Sequence, residues 1–218
     1  MQLKQRKINY DIYNVEIKEL MMFEINNHLL LDSKPSEYFN SIFDAPAFEN
    51  YPFNMLWDLK TTEQSPVHHP EGNVWNHTML VVDYAAKEKH RSSDSRVFMW
   101  AALLHDIGKT PTTKNRNGKI TSYDHEKIGA AMAREFLKEF TTDDKFIDKV
   151  CSLIRWHMQI LHVVKDMPFA DIENMKKDTD VNEVALLGLC DRIGRKKPDI
   201  EKEKQNILLF LKKCKEYK

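Results

Sequence analysis

The chain has 218 residues, 42% of them hydrophobic, enough to bury the core of one large domain, so a small stapled scaffold is excluded. Its 33 lysines and arginines equal its 33 aspartates and glutamates. That balance excludes a general nucleic-acid coat, which needs a basic excess to displace phosphate counterions, but leaves room for a small basic pocket.

Met1 to Arg6 leads into a mixed polar stretch instead of the apolar core of a signal peptide. Few glycines and apolar spacings of three and four predict helices throughout. The first forty residues read as one or two helices, with Leu20, Met21, Phe23, Leu29 and Leu30 as expected core. Pro46, Pro52, Pro66 and Pro70 break residues 44–73 into turns and short helical pieces. A helix follows from about Asn73 to Lys89, with His77, Leu80, Val81 and Tyr84 on one face. Ser93 or Asp94 caps the next, which carries Val97, Ala101, Leu104 and His105. Gly108 is expected to end it and Pro111 to prevent a restart, and Asn117-Gly118 marks a tight turn in the loop beyond. Tyr123 or Asp124 opens a helix aligning His125, Ile128, Met132 and Phe136.

Thr141 and Asp144 form a helix-start pair, and the long helix after them aligns Ile147, Val150, Ile154, His157 and Leu161. Beyond Pro168, Val184, Leu187, Gly188 and Asp191 share a stripe whose end is bracketed by Gly194 and Pro198. A last helix carries Ile200, Ile207, Leu208, Leu211 and Cys214 within lysine-rich surroundings, the usual sign of a solvated face. Cys151, Cys190 and Cys214 have no paired spacing, so they read as reduced thiols and exclude a Cys-rich zinc site. No apolar run reaches bilayer length. The expected setting is cytoplasmic, without a membrane partner.

Chemistry enters where polar residues fall on apolar stripes. His77, His105, His125, His157 and Asp191 each take a core-facing position on a different predicted helix. A carboxylate on such a face is costly unless a cation or several donors meet it. One buried histidine is ordinary. Five such positions together with Asp106 point to a transition-metal site. Neighbours in a regular helix diverge by about 100°, so His105 and Asp106 can share an ion only because the Gly108 stop lets the backbone bring both inward.

The order His77, His105-Asp106, His125, His157, Asp191 resembles the HD superfamily of metal-dependent phosphohydrolases. It is more similar still to the HD domain appended to some bacterial CCA-adding tRNA nucleotidyltransferases. The resemblance is carried by Lys34-Pro35 with Tyr38-Phe39, His69-Pro70-Glu71, Val74-Trp75 with His77-Thr78-Met79, and Leu103-Leu104-His105-Asp106-Ile107-Gly108-Lys109. His125 with Gly129-Ala130, Trp156-His157, and Asp191-Arg192 with Gly194-Arg195 complete it, over residues 33–196. The nucleotidyltransferase head is absent, so CCA addition is not implied. The Gly-Tyr-Pro element of cyclic-di-GMP-hydrolysing relatives is absent too.

The resemblance implies an all-α HD-domain helical bundle with a metal site between core helices: residues 61–218 as the HD domain and 1–60 as a helical extension packing on it. It implies His77, His105, Asp106 and Asp191 as ligands of a first metal. His125 and His157 serve a second, bridged by Asp106, or contact substrate phosphate. One or two divalent ions are expected, of Mn, Fe, Co or Ni character, with Mg less natural beside imidazoles. Asp106 and Lys109 are the expected catalytic residues, and Lys109, Arg192 and Arg195 the expected phosphate contacts, with Arg195 equally suited to a helix-end cation. The substrate class is a nucleotide, another phosphorylated small molecule or an RNA end. The competing expectation is a non-catalytic, metal-stabilised module that binds tRNA-like RNA or a protein partner. His68 and His69 read as exposed loop histidines, and Trp75, Trp100 and Trp156 as core packing.

Overall fold

In the computed structural model the described residues are 19–217, so the reading of Met1 to Arg6 and the first part of the expected extension lie outside them. Twelve helices carry the described chain: α1 (19–31), α2 (Pro35–Ile42), α3 (Asn54–Trp57), α4 (Val74–Glu88), α5 (Ser95–Leu104), α6 (Lys109–Thr112), α7 (His125–Lys138), α8 (Asp144–Trp156), α9 (Gln159–Val164), α10 (Ile172–Asp178), α11 (Val181–Ile193) and α12 (Ile200–Glu216). Between α6 and α7 a two-stranded antiparallel hairpin is inserted, β1 (Thr113–Arg116) and β2 (Lys119–Ser122).

Short polar residues start these helices. Asn73, Asp94, Asp143, Asp171, Asp180 and Asp199 each accept a hydrogen bond from a backbone N–H of the first turn they precede, satisfying donors that have no partner within the helix. One hydrophobic core runs from Met22, Ile25 and Leu29 through Trp75, Trp100, Phe136 and Ile154 to Phe210 and Cys214. Trp75, Trp100 and Trp156 are buried there, and each indole N–H donates to a side-chain oxygen, on Asn40, Asn26 and Asp178 respectively. All three cysteines are free and buried. Among the described residues no helix is long and apolar enough to cross a membrane.

Several local expectations are corrected. In α1 the buried positions are Met22, Ile25 and Leu29, whereas Leu20 and Phe23 face solvent; two apolar stripes compete there and the one continuous with Phe39 is buried. Leu80, Ile128, Ile200 and Leu208 are likewise exposed. In α7 the buried face runs through His125, Gly129, Ala133 and Phe136, because the small residues permit a closer approach than Ile128 would. Pro111 does not prevent a restart. It lies in the first turn of α6, where its missing N–H removes no helical bond. Asn117 and Gly118 both have positive φ, 52° and 77°, as a two-residue hairpin turn requires, so the expected loop is a hairpin. The long helix after Asp144 is two: α8 stops at Trp156 and α9 starts at Gln159, a turn too short to disturb the apolar period.

Candidate metal centre

His77 projects from the first turn of α4 and Asp191 from the last turn of α11, and the other ligand-type residues also sit at helix ends. His105 caps the C-terminus of α5, His157 caps that of α8, and His125 is the first residue of α7. Asp106 follows His105 in a turn closed by Ile107 N–H to the Leu104 carbonyl and Lys109 N–H to the Asp106 carbonyl. The turn lets two neighbouring side chains face one point. All six are buried.

The geometry of that turn depends on Gly108. A Cβ there would stand 2.2 Å from the His125 carbonyl oxygen and 2.4 Å from the Gly129 nitrogen. The backbone behind Asp106 thus lies directly against the start of α7, which sets His125 opposite Asp106.

Each imidazole is oriented by its Nδ1. His105 Nδ1 lies 2.9 Å from the Ala102 carbonyl, His157 Nδ1 2.7 Å from that of Ile154, and His125 Nδ1 2.7 Å from that of Ser122. His77 Nδ1 lies 3.0 Å from Glu71 Oε1. A carbonyl can only accept, so the Nδ1 atoms of His105, His125 and His157 carry a proton, and in the neutral ring Nε2 is the atom left with a lone pair to bind.

The four Nε2 atoms converge on Asp106 from two sides. Its Oδ2 is 3.2 Å from His105 Nε2 and 3.7 Å from His77 Nε2; its Oδ1 is 3.4 Å from His125 Nε2 and 3.9 Å from His157 Nε2. Asp191 Oδ1 is 3.0 Å from His77 Nε2. Two donor triads result, His77–His105–Asp106 and Asp106–His125–His157, each with ligand atoms within 4.8 Å of one another. His105 Nε2 is buried without a hydrogen-bond partner, and the Nε2 atoms of His125 and His157 face each other at 3.3 Å. Buried polar groups are normally paired. Unpaired lone pairs aimed at one space fit a divalent cation.

Charge follows this layout. Burial favours the neutral acid, yet the charges of His105 and Lys109 hold the Asp106 carboxyl well below the usual carboxylate range. Asp191 is held down likewise, burial being overcome by Arg195 and His77. Burial pushes His125 down to about 3 and lowers His157, so both present neutral imidazoles. His105 is raised, because Asp106 outweighs its burial.

Of the expected phosphate contacts, two join the centre. Lys109 is buried, with Nζ 2.7 Å from Asp106 Oδ2 and donating to Gln64 Oε1 at 2.7 Å. Arg195 places Nη2 3.3 Å from Asp191 Oδ1. Arg192 does not join: its Nη1 pairs with Glu203 of α12 at 3.0 Å, on the far side of α11. Glu71, His69 and Gln64 were not singled out as site residues by sequence. His69 is not an exposed loop residue: its side chain is 12% exposed and its Nδ1 lies 2.9 Å from the same Glu71 Oε1 that meets His77. Glu71 therefore holds two imidazoles at once. The motif His69-Pro70-Glu71 was the available signal.

An all-α bundle with two buried imidazole–carboxylate triads defines a metal-binding helical domain. The HD domain family model matches residues 74–195, more than half the chain, and the chain belongs to that family. HD domains generally bind divalent metals and act as metal-dependent hydrolases. Among curated proteins, the chain is similar to the multifunctional CCA protein of Halorhodospira halophila, 32% identical over 110 residues, covering 50% of this chain and 25% of the relative. It is also similar to that of Burkholderia multivorans, 29% over 153 residues, 69% of this chain and 35% of the relative. The Pasteurella multocida protein of the same name is 31% identical over 112 residues, 51% and 26% respectively. The chain thus spans a quarter to about a third of the curated relatives it matches.

Proposed function

We propose that the chain hydrolyses a phosphomonoester or a linear or cyclic phosphodiester, belonging to a nucleotide or to the end of a nucleic acid, with water as nucleophile. The observation that carries this reading is Asp106, whose two carboxylate oxygens face two separate pairs of Nε2 lone pairs. His77, His105, Asp106 and Asp191 would hold a first ion; His125 and His157, with Asp106 between, would hold a second or meet the substrate phosphate. Imidazole-rich donors suit Mn, Fe, Co or Ni, with Mg admissible at the more carboxylate-rich position. Such an ion supplies Lewis acidity toward a phosphoryl oxygen and a lowered pKa of water.

The chain's own groups do the rest. Lys109, fixed between Gln64 and Asp106, places a positive charge where negative charge accumulates on the phosphoryl oxygens. Arg195 offers a forked donor beside Asp191. Burial excludes bulk water from the imidazoles and favours the neutral form of His125 and His157. We read residues 61–218 as the catalytic unit, and the part before residue 61 as an extension packed on it. The free, buried cysteines support a reducing, cytoplasmic setting.

The test is direct. The purified protein is supplied with Mn, Co or Ni and assayed on a generic phosphomonoester and on 2′,3′-cyclic nucleotides. Turnover is expected, and Asp106→Ala is expected to abolish it. No turnover with any metal, or turnover unchanged in that variant, refutes the reading.

A further inference from the structure

The hairpin between α6 and α7 carries a feature that hydrolysis does not use. From Ile107 to Tyr123 the chain contains Lys109, Lys114, Arg116 and Lys119 and no carboxylate. In the register Lys114 pairs with Thr121 and Arg116 with Lys119. Directly opposed residues of an antiparallel pair point to the same face, as do residues two apart, so Lys114, Arg116, Lys119 and Thr121 share one face. Arg116 directly opposite Lys119 destabilises the ribbon. Lys114, Arg116 and Lys119 make no ion pair with any described residue, and Arg116 instead donates to the Thr121 carbonyl. The result is a like-charged face, without a carboxylate in its own segment, in a chain of zero net charge.

Two further observations point to what meets it. Tyr123 follows β2 and is 64% exposed, with the Arg116 guanidinium 4.7 Å from its ring centre; this is a flat π-surface at the end of a cationic track. The opposite face of the ribbon carries Ile120, which lines a cavity of about 350 Å³ together with Gln64, His69 and Asn73. Gln64 holds Lys109 and His69 meets Glu71, so the cavity adjoins the metal centre. The hairpin's two ends run directly into Lys109 and His125.

We propose that the outer face of this hairpin binds the phosphodiester backbone of a single-stranded nucleic acid, with Lys114, Arg116 and Lys119 on phosphates and Tyr123 stacking on a base. The strand's terminal nucleoside then enters the cavity beside Gln64 and His69. Placing the strand's end at the metal centre rests on the hydrolase reading; binding to the hairpin does not.

The experiment separates the two. Binding of a fluorescein-labelled 12-nucleotide single-stranded RNA to the metal-free full chain is followed by anisotropy across a salt series. Binding that weakens with salt is expected. K114Q/K119Q should lower affinity at least tenfold and flatten the log–log salt slope by about 1.4, since each lost single-strand phosphate contact removes about 0.7. Tyr123→Ser should weaken binding with an unchanged slope. Hydrolysis of the small substrate bis(p-nitrophenyl) phosphate by the metal-loaded K114Q/K119Q variant should be unchanged, which also shows that the variant folds. RNA binding indifferent to both variants, or equal binding to phosphatidylserine vesicles, overturns the proposal. Loss of small-substrate turnover in wild type alone would instead strike the hydrolase reading and leave the binding result to stand or fall separately.

Discussion

Gly108→Ala tests how the site is built. Its new methyl carbon would lie 2.2 Å from the His125 carbonyl oxygen, 2.4 Å from the Gly129 nitrogen and 2.8 Å from the Gly129 Cα. Carbon atoms pack comfortably at about 3.5–4.0 Å, so the start of α7 must retreat by roughly 1 Å. All three clashing atoms are backbone, so no side-chain rotation relieves them. Overpacking in such places costs about 1–3 kcal/mol, and the upper half of that range is expected here. For a chain of this size, 2–3 kcal/mol lowers Tm by roughly 4–12 °C. The retreat also carries His125 away from Asp106, so affinity for Mn or Co should fall at least about tenfold. Gly129→Ala is the control, because its Cβ would approach Gly108 nitrogen at 3.3 Å and Ile154 Cγ2 at 3.5 Å. That crowding is slight, and replacing a mid-helix glycine gains about 0.5–1 kcal/mol, so its net effect should stay within about 1 kcal/mol. Thermal melts and isothermal titration calorimetry read both quantities. A Gly108→Ala protein with wild-type Tm and affinity, or a Gly129→Ala protein equally damaged, would refute the close-approach argument.

Glu71→Gln should weaken metal binding about 10–100-fold by releasing the carboxylate that orients His77, with little change in Tm; calorimetry showing wild-type affinity would remove Glu71 from the site. The metal-free protein should lose stability on acidification from pH 7 to pH 5. Burial lowers His69 to about 4 and His125 to about 3, from 6.5; between those values the unfolded state takes up protons that the folded state refuses, so stability falls as pH falls. His69 alone accounts for roughly 2 kcal/mol at pH 5, and the raised His105 offsets part of the sum, so a Tm fall of roughly 4 °C or more is expected; a flat Tm would contradict it. Arg195→Ala should cut kcat/KM roughly tenfold or more, as loss of a charged hydrogen bond does, while Arg192→Ala should leave it within about twofold because Arg192 faces Glu203. Equal effects from both would show that the helix end is placed differently.

The buried cluster was legible because its chemistry is improbable elsewhere: His77, His105, Asp106, His125, His157 and Asp191 sit among apolar neighbours, and burial without a partner is costly for each. What periodicity hid was that most of them occupy helix ends. A 3.6-residue period continues smoothly across the His157-Met158 turn, so α8 and α9 read as one helix. Glu71 and His69 lie in a proline-flanked loop, where no period reports which way a side chain faces. Arg192 and Arg195 are three apart and would share a face in an unbroken helix, but the helix ends at Gly194, so Arg195 turns back to Asp191 and Arg192 does not. The hairpin was announced by Asn117-Gly118, yet its four-residue strands are too short and polar to register as strands.

Because His105 and His157 cap the C-termini of α5 and α8, and Asp191 lies in the last turn of α11, three helices direct their carbonyl ends toward the centre. Backbone dipoles then add a negative potential to that of the carboxylates, each end favouring a nearby cation by about 0.3–1 kcal/mol. Helix α7 enters the other way, bringing its N–H end with His125 and a local preference for an anion. Each side of Asp106 therefore meets helix ends of both signs, the N–H end of α4 with the carbonyl end of α5 around His77 and His105, and the N–H end of α7 with the carbonyl end of α8 around His125 and His157, so that the main chain offers partial charge to a cation and to an anion bound beside it.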